Sequence, residues 1–233
     1  MPQLLISVTS INEAQVALQC GADIIDLKDP AQGALGALPL NLVTEVVTFV
    51  HAKGEHERKV VSATVGDLPM VPELLLQHVL ALSKTKVDII KIGFFRDDNV
   101  NFFDYQPCLD ALTSVTESGV KLIAVLFAEY TYPDSLLAAI KKAGFYGVMF
   151  DTAVKNGTTF LDYFSVDEMK IIADSVQTLD LFFGLAGSLN LQHVEMVKTI
   201  DPDYIGLRGG VCVNNQRKSK LDSEKIIAVR DAM

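Results

Sequence analysis

Eight short apolar runs, each followed by an amphipathic stretch, fill 233 residues with no linker-like segment between them. This alternation predicts an α/β fold, a (β/α)8 or TIM barrel spanning 1–233 as a single domain. The length agrees, since such barrels run about 200–250 residues. An open α/β sheet is the alternative. It is disfavoured because no G-x-G-x-x-G follows the first strand and no Walker-type loop is present.

The spacing predicts strands at 4–8, 23–28, 60–65, 89–94, 121–127, 147–152, 181–186 and 204–207. Each is rich in Val, Ile, Leu or Phe and bounded by Gly, Asp or Pro, as strands buried on both faces require. Helical patterns cover 11–19, 39–50, 72–83, 105–117, 133–143, 166–176, 191–199 and 222–232. The first carries Ile11, Ala14, Val16, Ala17 and Leu18, and the second opens on Pro39, a residue suited to a first helical turn. "CGADIIDLK", "KVDIIKIG" and "DPDYIGLRG" each read as a helix end, a turn and a strand. This is shared βα grammar and not proof of duplication.

Apolar residues make up 49% of the chain and charged ones 21%, enough for a large core and too few charges for disorder. The net charge is −9, which argues against nucleic acid as a partner. The one basic run, at 217–220, is expected in a solvated loop. No apolar stretch approaches the length needed to cross a bilayer, and the first eight residues lack the pattern of a secretion signal. Cys20, Cys108 and Cys212 are odd in number and widely spaced, with neither disulfide nor zinc spacing. A reducing, cytoplasmic setting is expected. Cys212, beside a glycine pair, either packs or lies near a site.

Barrel enzymes build their sites at the C-terminal ends of the strands. There the sequence places Asp26 and Lys28, Ser62 and Thr64, Lys91, Asp151 with Lys155 just beyond, Gly187-Ser188, and Arg208-Gly209-Gly210. Strand side chains alternate between faces, so Asp26 shares a face with Lys28, and Ser62 with Thr64. A charge within an apolar strand is costly to bury unless it is paired or functional. A single Lys–Asp pair reads equally well as a structural strut. Several lysines and two aspartates at one end of one barrel favour chemistry. A neutral lysine amine attacks carbonyls to form a Schiff base, and a second lysine or a carboxylate shuttles protons. Burial and a neighbouring ammonium lower a lysine pKa, whereas aspartates raise it, so the residues alone do not rank Lys28 against Lys91.

"GLAGS" and "GLRGG" end the seventh and eighth strands, where barrels often hold phosphate on backbone N–H groups. A sugar-phosphate substrate is therefore expected at Gly187, Ser188, Gly209 and Gly210, with Arg208 adding a fork of donors and Ser62 and Thr64 lining the site. The bland reading is that these glycines only make tight turns. His51 and His56 fall in a polar stretch and His78 and His193 in helices, with no metal-ligand spacing, so no metal and no other cofactor is expected. "NFFDYQ" reads as a helix start with core aromatics. Glu129 and Tyr130 line the mouth or merely form a loop.

Six segments carry a family resemblance: "LLISVTSINEAQVALQCGADIIDLKDPAQGALGA", "VSATVGDLP", "DIIKIGFF", "MFDTAVKNGTTFLDY", "GLAGSL" and "IGLRGGVC". Together they resemble (5-formylfuran-3-yl)methyl phosphate synthase, the furan-forming enzyme of methanofuran biosynthesis, through nearly the whole chain. The resemblance implies an aldolase-like lyase that joins two molecules of glyceraldehyde 3-phosphate with loss of phosphate and water. It implies that Lys28 forms the Schiff base, that Lys91 accepts protons, and that Asp26, Asp151 and Lys155 complete the catalytic set. It also implies a homo-oligomer. "AVLFAEYTYPD" and the tail "VCVNNQRKSKLD" depart from the family pattern near the substrate mouth.

Overall fold

The computed structural model describes residues 1–52, 58–96 and 104–233. Its strands are β1 (Gln3–Val8), β2 (Ile24–Leu27), β3 (Val60–Thr64), β4 (Ile89–Gly93), β5 (Lys121–Phe127), β6 (Gly147–Asp151), β7 (Phe182–Leu185) and β8 (Tyr204–Leu207). Helices alternate with them: α1 (Ile11–Gln19), α2 (Leu40–His51), α3 (Pro72–Ser83), α4 (Gln106–Glu117), α5 (Leu136–Lys142), α6 (Val166–Thr178), α7 (Leu191–Lys198) and α8 (Ser223–Ala232). All neighbouring strands pair in parallel and β8 returns to β1, closing the barrel.

The ladders end one residue earlier than the apolar runs at five strands. Lys28, Val65, Phe94, Thr152 and Ala186 therefore lie just past the sheet. The helix expected from 133 begins at Leu136, because 133–135 form a turn in which Leu136 N donates to Pro133 O. Of the aromatic run at 101–106, residues 101–103 lie outside the described residues, as does His56; Tyr105 is buried and stacks on Phe94.

Strand alternation splits the apolar side chains into two cores. Leu4, Ile6, Val8, Ile25, Leu27, Ile90, Ile92, Val148 and Ile205 point outward against the helices. Leu5, Ile24, Ile89, Ile123, Val125, Met149 and Tyr204 fill the inside. Helix starts are fixed locally: Ser10 accepts from Glu13 N at α1, and Ser165 and Glu168 form a reciprocal cap at α6.

Inside the barrel Tyr204 lies across Gly184. A Cβ on Gly184 would sit 2.0 Å from Tyr204 Cζ and 2.4 Å from its hydroxyl oxygen. Close-packed interiors do not absorb such an overlap. Gly184→Ala is therefore expected to lose about 1–3 kcal/mol, with Tm falling about 2–4 °C for each kcal/mol in a chain of this size. Calorimetry checks this, and an unchanged Tm would contradict the packing described here.

Candidate active site

The C-terminal mouth of the barrel opens into a cavity of about 810 Å³. Ser7, Asp26, Lys28, Asp151, Lys155 and Arg217 are among its lining residues, with Gly187, Ser188, Gly209 and Gly210 along one side. The volume is in the range of small-molecule sites.

Asp26 is the innermost charged residue of that lining. It is fully buried, and Ser7 and Ser62 flank it at the same level of the sheet. The Ser7 hydroxyl donates to Oδ2 at 2.8 Å, the Ser62 hydroxyl to Oδ1 at 2.7 Å, and Lys91 Nζ pairs with Oδ1 at 2.5 Å. Burial pushes the Asp26 carboxyl up, but the ammoniums of Lys91 and Lys28 outweigh it and hold the acid below its ordinary value. Lys91 is 1% exposed, and burial lowers its pKa against the pull of Asp26.

A second carboxylate organises the outer layer. Asp151 Oδ1 accepts from Lys155 Nζ at 2.5 Å and from Thr152 N at 2.7 Å, and Oδ2 lies 3.7 Å from Lys28 Nζ. Burial opposes ionisation of Asp151, yet Lys155 and Lys28 bring its carboxyl down to about 2. Burial brings Lys155 down to about 8, with Asp151 pulling it up and Lys28 pushing it further down. Lys28 differs from the other two lysines: among the described residues its Nζ makes no hydrogen bond and only the 3.7 Å ion pair. The structure thus brings Asp26, Lys28, Lys91, Asp151 and Lys155 together, and all of these but Lys91 line the cavity.

Two expected substrate ligands have other partners. Ser62 donates to Asp26, and Thr64 donates to Gly36 O at 3.1 Å; neither lines the cavity. Arg208 does line it, but all five of its N–H groups are engaged. They donate to Glu13 at 2.6 and 3.1 Å and to the carbonyls of Ser7, Arg217 and Ser219. The free fork expected at Arg208 is therefore absent, because a buried guanidinium must satisfy its donors within the protein. Cys212 is buried, its thiol donates to Arg208 O, and burial raises its pKa.

The glycine loops meet as expected. A Cβ on Gly210 would lie 2.2 Å from Leu189 O, so the two loops pack backbone to backbone. Gly187 and Ser188 both have positive φ, and among the described residues their amides donate to no protein acceptor. Gly209 and Gly210 open a 3-10 turn, whose first N–H groups have no partner within the turn.

Several further residues shape the mouth; the sequence points to Glu129, as lining the mouth or forming a loop, and gives no such signal for Ser7, Tyr132 or Arg217. Ser7 reads as an ordinary strand residue until its register with Asp26 is seen. Asp67 accepts from Ala34 N at 2.7 Å and Leu35 N at 2.6 Å, fixing the loop after β2. Glu129 accepts from Ala153 N and Val154 N, fixing the loop that carries Lys155. Tyr132 joins the ends of β4 and β5, accepting from Phe127 N and donating to Phe94 O. Arg217 corrects the solvated loop expected at 217–220: it is half-buried, lines the cavity and donates to Gly33 O at 2.8 Å. His193 has a structural role, its Nδ1 accepting from Asn190 N at the start of α7.

Two outcomes follow from this charge arrangement. Lys91→Met strands the buried Asp26 carboxylate and is expected to cost about 3–5 kcal/mol, most of it recovered when Asp26→Asn is added. Denaturant melts of both variants check this, and equal stability of the two would contradict it. In NMR of reductively ¹³C-methylated lysines, Lys155 is expected to titrate near 8, against about 10.4 for ordinary lysines. Asp151→Asn removes the charge that raises it, so the midpoint falls further. A midpoint that rises in Asp151→Asn would contradict the pairing.

Comparison with known proteins agrees with this architecture. The chain matches the family model described as 4-HFC-P synthase over residues 4–230. A protein of Methylorubrum extorquens is 35% identical, over 100% of this chain and 92% of its own length. The (5-formylfuran-3-yl)methyl phosphate synthase of Archaeoglobus fulgidus is 31% identical over 99% of both chains. Among solved structures, phosphoribosyl anthranilate isomerase from Thermus thermophilus superposes with a TM-score of 0.64 at 14% identity, covering 99% of this chain and 97% of its own. 3-Hexulose-6-phosphate synthase from Salmonella typhimurium gives 0.63 at 15%, with the same coverage. These structural likenesses concern the fold alone. The full-length match to the family model and the identity to its named members show that this chain belongs to the 4-HFC-P synthase family.

Proposed function

We propose that this chain condenses two molecules of glyceraldehyde 3-phosphate through a lysine Schiff base, releasing phosphate and water and forming (5-formylfuran-3-yl)methyl phosphate. The observation that carries the reading is the cluster of three lysines around two buried carboxylates at one cavity, which Lys28 and Lys155 line and Lys91 reaches through Asp26, within a chain of this family. Lys28 is the nucleophile in this scheme. It lacks the hydrogen bonds that tie Lys91 and Lys155 to carboxylates, so its lone pair, once uncovered, is free to attack a carbonyl.

The remaining charges act on protons. The iminium at Lys28 makes the adjacent carbon acidic, and a base must take that proton before the carbon–carbon bond forms. Asp26 lines the cavity with Lys91 bonded to it, so Lys91 exchanges protons with the substrate by way of Asp26. Lys155 lies near 8, where both its acid and base forms are populated around neutral pH. Asp151 stays ionised and compensates the positive charge that forms on Lys28. The unpaired amides of Gly187 and Ser188, with those of Gly209 and Gly210, hold a substrate phosphate.

Incubation with glyceraldehyde 3-phosphate is expected to release inorganic phosphate and to generate furan absorbance. Borohydride trapping is expected to leave an adduct at Lys28 by mass spectrometry. Lys28→Arg is expected to lose the adduct and to slow turnover by roughly 10³-fold or more. Turnover without any adduct at Lys28 would sink the Schiff-base assignment. Reversible cleavage or isomerisation without phosphate release would point instead to a simpler sugar-phosphate aldolase or isomerase.

A further inference from the structure

We propose that Arg217, and not Arg208, is the guanidinium that takes a substrate phosphate, and that Arg208 is a positioning residue that sets Arg217 over the mouth. The proposal deepens the reading above and rests on it for the identity of the phosphate ester.

Arg208 and Arg217 both line the cavity, and they differ in free capacity. Arg208 has no N–H left to offer, as its partners show. Arg217 donates to one acceptor, Gly33 O, and its other donors are uncommitted among the described residues. Its place is set from both sides. Arg208 Nε donates to the carbonyl of Arg217 itself and Nη2 to that of Ser219, so the buried ion pair with Glu13 grips the segment from below. Asn214 and Asn215, both at positive φ, turn the chain back over the glycine loop. A Cβ on Gly209 would lie 3.7 Å from Arg217 Cβ, so the arginine starts beside the phosphate-loop glycines. It ends at Gly33, across the mouth on the loop held by Asp67.

The electrostatics agree with an anion at that point. The Arg217 charge is felt by Lys155 and is attracted by Asp151, so it belongs to the same charged layer. Lys28, Lys155 and Arg217 bring three cations to this layer, so a phosphate there meets cationic donors, with Asp151, Asp67 and Asp29 as the opposing charges. A planar fork suits phosphate oxygens in a two-point contact.

The test compares wild type with Arg217→Met and Arg217→Lys. Calorimetry with inorganic phosphate is expected to show roughly a 10- to 100-fold loss of affinity in Arg217→Met, with part restored in Arg217→Lys. KM for glyceraldehyde 3-phosphate is expected to rise by a similar factor while kcat changes less. Borohydride trapping with unphosphorylated glyceraldehyde, which needs an intact site but no phosphate ligand, is expected to be unchanged. Wild-type phosphate affinity in Arg217→Met, or no phosphate binding to the wild type, overturns the proposal. Loss of trapping by both aldehydes also overturns it, since Arg217 would then only hold the fold. If the wild type forms no furan, the functional reading fails, and the phosphate measurements still decide the role of Arg217.

Discussion

Asp26 is fully buried near the centre of the barrel, and its carboxylate accepts from Lys91, Ser62 and Ser7. A lone carboxylate in that position would carry a desolvation penalty of several kcal/mol. The rest of the inner site is arranged around removing it. Ser7 and Ser62 stand at the same level on the flanking strands because parallel register places them there. Lys91 arrives from β4 and supplies the counter-charge. The compensated pair then forms the floor on which Lys28, Asp151 and Lys155 make a second charged layer. In that layer the balance differs, because Asp151 answers two lysines and Lys28 has the weaker claim on it.

The loops above this floor are held by acidic side chains that accept backbone N–H groups. Asp67 fixes the loop after β2 and Glu129 the loop after β6. Glu13 accepts from Thr9 N and pairs with Arg208, joining the ends of β1 and β8. Each replaces lost solvation of loop amides with a charge-assisted bond, which keeps the mouth in one shape before any substrate arrives. The same contact ties "GALGA" to "VGD" in space: a Cβ at Gly33 would lie 2.0 Å from Asp67 Oδ2, so position 33 admits no side chain. The segment "AEYTYPD" uses Glu129 and Tyr132 to brace neighbouring strand ends, and neither residue lines the cavity.

Much of this is legible in the sequence. Period-two alternation put Asp26 with Lys28 and made Lys91 an interior residue, and the βα rhythm carried Asp151 to the same end. The barrel, its strands and the five clustered charges followed. At Arg208 the position after "GL" on β8 suggests a free phosphate fork, whereas its donors are all taken by protein acceptors. Its acceptors include Glu13, 195 residues away in the chain. Ser7 looked like any strand serine, and Arg217 looked like part of a solvated basic run.

Neighbours along the chain set backbone periodicity, and with it which residues lie on which face and at which end of each strand. Which donor meets which acceptor is fixed in three dimensions. That pairing depends on barrel closure, which brings β8 beside β1 and carries the 217–219 segment to the loop after β2. Burial then imposes the choice: each charge inside takes the partner that closure delivers, and the donors left over, at Lys28, Arg217 and the glycine loops, are those the mouth can offer to a ligand.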